Sequence, residues 1–290
     1  MGGIGINSVS CAKWYLSLAP SSAPVYWRTP KHLERARMEY EDELHGGFRK
    51  WFHNPSLQDK DVFDIGCGYG GRTVRYAELG ARSVTGLEVS ERLVAEAREF
   101  ARVRNVTNVR FVTGAGEFLP FSNSSFDIIT SYDVFEHVCD LRQTLSECLR
   151  VLRPTGKLYA VFPPFYHPNG AHLDSWLSRM PCPNVLFTTQ VLVQAGYELL
   201  KERNDIFRPN ALRPSDKLWN LNGTTVAGTR KLLASLKCDY NLVLAPIFSR
   251  MNSLWEPWRM KWYAWIVAPL RHIPTVNEVF THRMVLTVGK

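Results

Sequence analysis

Three observations predict an α/β fold built on a mostly parallel, seven-stranded sheet with helices on both faces. Short apolar runs alternate with amphipathic stretches from residue 61 to residue 162, joined by tight links, which is the pattern of βαβ units. The first run ends in a glycine-rich turn, Gly66-Cys67-Gly68-Tyr69-Gly70-Gly71. Two further strand candidates follow late in the chain and complete a single sheet. The 290 residues are 45% hydrophobic and 21% charged, enough for one core domain with a cap and an insertion.

The strands are read at Asp61–Ile65, Ser83–Leu87, Val109–Thr113, Phe126–Ser131, Lys157–Phe162, Asp239–Phe248 and His282–Val288. The helices between them fall at Arg72–Leu79, stopped by Gly80, at Glu91–Arg104, capped by Ser90, and at Leu141–Leu152, halted by Pro154. A further helix is expected at Thr224–Leu236. Upstream, residues 1–28 show no strong period and read as irregular. Thr29-Pro30 opens a charged helix that runs to Leu44 and stops at Gly46-Gly47. The expected organisation is therefore a helical cap over 1–56 and a core over 57–290, with 165–222 inserted as an acceptor region or lid.

Composition narrows the partners. The net charge of +8 is spread along the chain without a basic run, so nucleic acid is not expected as a partner. Six cysteines without a C-x-x-C pair read as free thiols of a reducing compartment, so a cytoplasmic location is expected. The N-terminus lacks the basic region of a signal peptide, and Ile6 breaks a myristoylation pattern. Trp262–Leu270 is too short to span a bilayer. Trp255, Trp258, Trp262 and Trp265 share one helical stripe. That stripe either packs on the core, walls an apolar or aromatic acceptor, or touches a membrane interface.

The turn after the first strand carries the chemistry. Gly66, Gly68 and Gly71 satisfy G-x-G-x-x-G, which alone also fits a dinucleotide enzyme. Asp64, beside the turn, separates the two classes. A carboxylate there repels a pyrophosphate but suits a ligand carrying an ammonium and a sulfonium. Glu88 closes the second strand, placed to accept from both hydroxyls of a ribose.

Four stretches then resemble the class I S-adenosylmethionine-dependent methyltransferases of the bacterial small-molecule type, a Rossmann-like fold. They are Val62-Phe63-Asp64-Ile65-Gly66-Cys67-Gly68-Tyr69-Gly70, then Val84-Thr85-Gly86-Leu87-Glu88-Val89-Ser90, then Glu117-Phe118-Leu119-Pro120-Phe121 running on to Ser125-Phe126-Asp127, and finally Glu136-His137-Val138 with Leu149-Arg150-Val151-Leu152-Arg153-Pro154-Thr155-Gly156-Lys157. The resemblance implies S-adenosyl-L-methionine as cofactor. Asp64, Gly66, Cys67 and Gly68 would hold its methionine moiety, with Ser131 and Tyr132 nearby. Glu88 would hold the ribose, Val89 would pack on adenine, and Gly116 and Glu117 would meet the adenine edge. Ala115 departs from the family, which often has an Asp there to accept from the adenine amino group.

The implied reaction is methylation of oxygen, nitrogen or carbon on a small-molecule acceptor. Three histidines are candidates for a general base. His137 follows the fourth strand, and it is either that base or an imidazole held by backbone. His167 and His172, with Asp174, lie beyond the fifth strand at the edge of the acceptor region. Their spacing fits no dedicated metal site, and no metal is expected. A non-catalytic S-adenosylmethionine-binding protein and a NAD-dependent oxidoreductase are the alternatives.

Overall fold

The computed structural model describes residues 8–20, 33–168, 170–173, 177–202, 221–246 and 276–290. The tryptophan stripe, Asp174 and the Thr29-Pro30 helix start lie outside the described residues.

One seven-stranded sheet organises the described residues, with strand order β3-β2-β1-β4-β5-β7-β6. The strands are β1 (Asp61–Ile65), β2 (Ser83–Glu88), β3 (Val109–Thr113), β4 (Phe126–Tyr132), β5 (Leu152–Phe162), β6 (Asp239–Pro246) and β7 (Thr281–Gly289). Strands β1 to β5 pair in parallel, and β7 runs antiparallel to β5. The central strands are buried along nearly their whole length because helices cover both faces.

The helices are α1 (Val9–Ser17), α2 (Glu34–Leu44), α3 (Gly71–Glu78), α4 (Glu91–Val103), α5 (Leu141–Val151), α6 (Pro183–Leu186), α7 (Thr189–Glu202) and α8 (Val226–Ser235). Ser90 caps α4 by accepting from the Leu93 amide, and Asp140 caps α5 by accepting from Gln143.

At the amino ends of the central strands, ion pairs tie four elements together. Asp61 of β1 accepts from Arg82, from Ser83 of β2 and from Arg153 of β5. Asp127 of β4 accepts from the Asp61 amide at 2.8 Å and from Arg153 at 2.6 Å. The two guanidiniums hold Asp61 well below the usual carboxylate range.

The described residues group into two compact units. One unit comprises Pro30–Phe162, Thr229–Val243 and Met284–Lys290, and the other comprises Met1–Thr29, Pro163–Gly228 and Leu244–Arg283. Helix α2 belongs to the sheet unit. Its Ala36 joins Val74, Ala97, Phe100 and Phe111 in one buried cluster. In the other unit, α1 packs Ala12 and Leu16 against Leu192, Ala195 and Leu199 of α7. Lys13 of α1 pairs with Glu198 at 3.1 Å and also with Glu202.

Three local expectations are corrected. Residues 9–17 form a helix instead of irregular chain, because Ala12 and Leu16, four apart, find an apolar partner in α7. Residues 189–202 form α7, a helix that the sequence reading did not place within the inserted stretch 165–222. Pro154 does not mark the helix end. Leu152 already has extended backbone and pairs with Phe126, after which the register jumps so that Ile128 pairs with Lys157. Pro154 sits in the bulged segment between, where a missing N–H costs no ladder bond.

Candidate functional site

The glycine-rich loop hangs from the carboxyl end of β1. The Gly66 and Cys67 amides both donate to the Leu87 carbonyl, at 2.8 and 2.9 Å, which ties the loop to β2. Gly66 has φ of +70°, and a Cβ there would stand 2.2 Å from the Val134 side chain, so only glycine fits. Gly71 begins α3 against α2. A Cβ on it would lie 2.0 Å from the Ala36 carbonyl oxygen and 2.6 Å from the Tyr40 nitrogen. Because those are backbone atoms, Gly71→Ala is expected to push α2 off the loop at a stability cost of about 3 kcal/mol, read from urea unfolding. An unchanged midpoint would contradict this packing.

The two carboxylates singled out from sequence differ in position. Glu88 ends β2 half-buried and faces the loop. One oxygen accepts from the Gly68 amide at 3.3 Å and the other from the Ser90 amide at 3.1 Å. Val89 beside it is 70% exposed. Asp64 instead points into the protein and is buried. Its oxygens accept from the Thr73 hydroxyl of α3 at 2.6 Å and from the Thr130 hydroxyl of β4 at 2.9 Å. Burial raises its carboxyl to about 6. Asp64 therefore braces β1, β4 and α3 beneath the loop.

A second carboxylate that touches the loop, besides Glu88, was not singled out in the sequence. Glu39 of α2 accepts from the Gly71 amide at 3.0 Å and from the Tyr69 amide at 3.3 Å. Burial pushes it up to about 7, opposed by the nearby Arg72 guanidinium and by the two amides. Arg72 lies over the Tyr132 ring at 4.4 Å. Tyr132 in turn stands edge-on to Phe48. No sequence signal marks Glu39, which lies 25 residues before Asp64 on a helix that reads simply as charged.

The remaining predicted residues fall as follows. The Cys67 side chain is buried, turned toward Gly86, where a Cβ would meet its sulfur at 2.8 Å. Gly116 is buried against Ile65 and Thr144, with no room for a side chain. The Glu117 carboxylate accepts from the Cys139 and Asp140 amides, at 2.6 and 3.2 Å, so it holds the turn before α5. Phe118, its neighbour, is 76% exposed. Ser131 is buried, and Tyr132 is half-buried beside Arg72.

The three histidines differ in burial. His137 is half-exposed in the turn after β4, its amide donating to the Val134 carbonyl at 2.8 Å. In the other unit, His167 is buried. Its Nε2 lies 3.3 Å from Nδ1 of His282. Burial, with His282, Arg283 and His172 nearby, lowers His167 to about 3. An imidazole so hard to protonate stays neutral across the ordinary pH range. His172, half-buried, has a left-handed backbone with φ of +53°.

The side chains that accept from the loop amides are acidic. Glu39 and Glu88 flank Gly68 and Asp64 lies beneath, with the cations Arg72 and Arg92 nearby, Arg92 over the Tyr69 ring. This set suits a cationic nucleoside ligand, because a pyrophosphate would face carboxylates where it needs free amides. Fold and cradle together define a binder of an adenosyl-sulfur cofactor on an open α/β sheet.

The chain's likeness to known proteins agrees. Residues 63–160 match the family described as a methyltransferase domain. Over 204 residues the chain is 30% identical to the O-methyltransferase cnsE of Penicillium expansum, covering 68% of this chain and 70% of that one. It is 34% identical over 161 residues to YcgJ of Bacillus subtilis (strain 168), named an uncharacterized methyltransferase, covering 55% of this chain and 60% of that relative. It is 35% identical over 104 residues to a ubiquinone biosynthesis O-methyltransferase of Coxiella burnetii, covering 36% of this chain and 44% of that relative. A solved S-adenosylmethionine-dependent methyltransferase of Mesorhizobium loti shares the fold, with TM-score 0.54 at 16% identity, over 84% of this chain and 96% of that one. The chain belongs to the class I S-adenosylmethionine-dependent methyltransferases, a family of transferase enzymes. Among the described residues, no helix is long and apolar enough to cross a membrane.

Proposed function

We propose that this protein transfers the methyl group of S-adenosyl-L-methionine to a hydroxyl oxygen of a small organic acceptor. The observation that carries the cofactor half is the acidic cradle of Glu39 and Glu88 around Gly68. The acceptor half is supported by the relatives in Penicillium expansum and Coxiella burnetii, both named O-methyltransferases.

The bound cofactor supplies a methyl group already activated by its sulfonium. What the chain adds is alignment and, for a hydroxyl acceptor, removal of one proton. In this reading Glu88 holds the ribose diol, the loop backbone from Gly66 to Gly68 cradles the methionine portion, and exposed Val89 gives adenine an apolar face. Asp64 is a positioning residue acting through Thr73 and Thr130. His137 is the general base. Its half-exposed imidazole is accessible to an acceptor, whereas His167 is buried and, lowered to about 3, is a weak base. The stretch 165–222 serves as the acceptor region.

Incubation with methyl-labelled S-adenosylmethionine and a panel of phenols, aliphatic alcohols, amines and activated carbon acids tests this reading. Label is expected in an O-methyl product, and His137→Ala is expected to lower the rate about a hundredfold with little change in cofactor affinity. Label solely in N- or C-methyl products would refute the choice of atom. Cofactor binding without turnover on any acceptor would favour a non-catalytic binding role, to which Ala115 already lends some weight.

A further inference from the structure

The amides that open α3 are already occupied by the chain itself. A helix start with free N–H groups and a positive dipole end attracts an anion. Here Glu39 fills that position. Its two oxygens take the Tyr69 and Gly71 amides, and Gly71 is the first residue of α3. The carboxylate also presses on the loop, since a Cβ on Gly68 would come within 2.9 Å of its Oε1. It is delivered from α2, which approaches so closely because Gly71 has no side chain.

We infer that Glu39 is a specificity-determining residue that occupies the loop's anion position with a carboxylate and thereby turns away phosphate-bearing nucleotides in favour of a cationic adenosyl ligand. The inference rests on the cofactor reading above. It also assigns the electrostatic selection, which the sequence places on Asp64, to a different side chain on a different element. Asp64 is spent on Thr73 and Thr130, whereas the Glu39 carboxylate lies on the loop amides themselves. The nearby Arg72 offsets part of this charge, while its guanidinium is laid over the Tyr132 ring and stands 3.9 Å from Asp42. A pyrophosphate entering the loop would have to displace Glu39 and, above about pH 7, where the carboxyl is ionised, would also sit beside its charge. The sulfonium and ammonium of S-adenosylmethionine are attracted by the same charge.

The test is calorimetric titration of the full chain, as wild type, Glu39→Ala and Glu39→Gln, with inorganic pyrophosphate and with S-adenosylhomocysteine. Circular dichroism verifies the fold of each. Wild type is expected to ignore pyrophosphate. Glu39→Ala frees the two amides, and Glu39→Gln keeps the volume but removes the charge, so each is expected to bind pyrophosphate at least about tenfold more tightly than wild type. A purely structural role for Glu39 would produce no such gain. A gain in either variant supports the inference, and no gain in two folded variants overturns it. The cofactor reading is judged separately by wild-type binding of S-adenosylhomocysteine, so either can fail without the other.

Discussion

Glu88→Ala is expected to weaken S-adenosylmethionine binding on the order of a hundredfold, because two charge-assisted hydrogen bonds to a ribose diol are worth about 3 kcal/mol together. The side chain is suited to this because it ends β2 half-buried and holds its shape through the Gly68 and Ser90 amides. Those amides are partly open to water, so unfolding should shift by no more than about 1 kcal/mol. Binding and stability therefore separate in this variant. Calorimetric titration beside urea unfolding measures both. Retained affinity would remove Glu88 from the site, and a large stability loss would reassign it to the scaffold. Glu88→Gln keeps the shape and is expected to fall between wild type and Glu88→Ala.

The second large effect is on the fold. Asp64→Ala is expected to cost about 3 to 4 kcal/mol, since the buried Thr73 and Thr130 hydroxyls lose their acceptor and a void remains under the loop. Cofactor affinity should fall with it, as the loop loses its support. The dependence on pH supplies a signature that simple packing loss lacks. Burial raises the Asp64 carboxyl from 3.8 to about 6, so in the pH range between those values the folded state holds a proton that the unfolded state releases. The group's contribution is complete below 3.8 and is lost as pH rises through about 6. Asp64→Asn cannot titrate. Relative to wild type it should gain stability as pH rises across that window, measured by urea unfolding at its two ends. A constant difference would mean that Asp64 stays ionised in the fold. Glu39 acts in the same direction, raised from 4.5 to about 7, and Arg72 and Glu43 also face Asp64, so both variants belong in one series.

Much of the sheet was legible in the sequence because its signals are local. β1 and β3 have the bounds that the apolar runs imply, since turn residues close each run on both sides. Ser90 and the glycine-rich turn mark the starts of α4 and α3 through chemistry confined to a few residues. What was not legible depends on partners far away in sequence. α1 and α7 each carry a modest apolar stripe, and they become a core by meeting one another across about 180 residues. Asp64 could be placed beside the loop but not aimed. In a strand buried on both faces, alternation does not say which side holds the ligand, and the structure turns its carboxylate to two threonines. Glu39 shows the same limit from the other side. Nothing near it in sequence marks a loop contact, and it arrives because α2 packs on α3 at Gly71.

The measurement that tests the central claim most directly is parallel calorimetric titration of the wild-type chain with S-adenosylmethionine, S-adenosylhomocysteine and NAD. The expected result is saturable binding of both adenosyl-sulfur ligands, with NAD silent because Glu39 holds the loop amides that a pyrophosphate requires. Binding of NAD with neither adenosyl-sulfur ligand bound would contradict the reading of the acidic cradle and of the cofactor together.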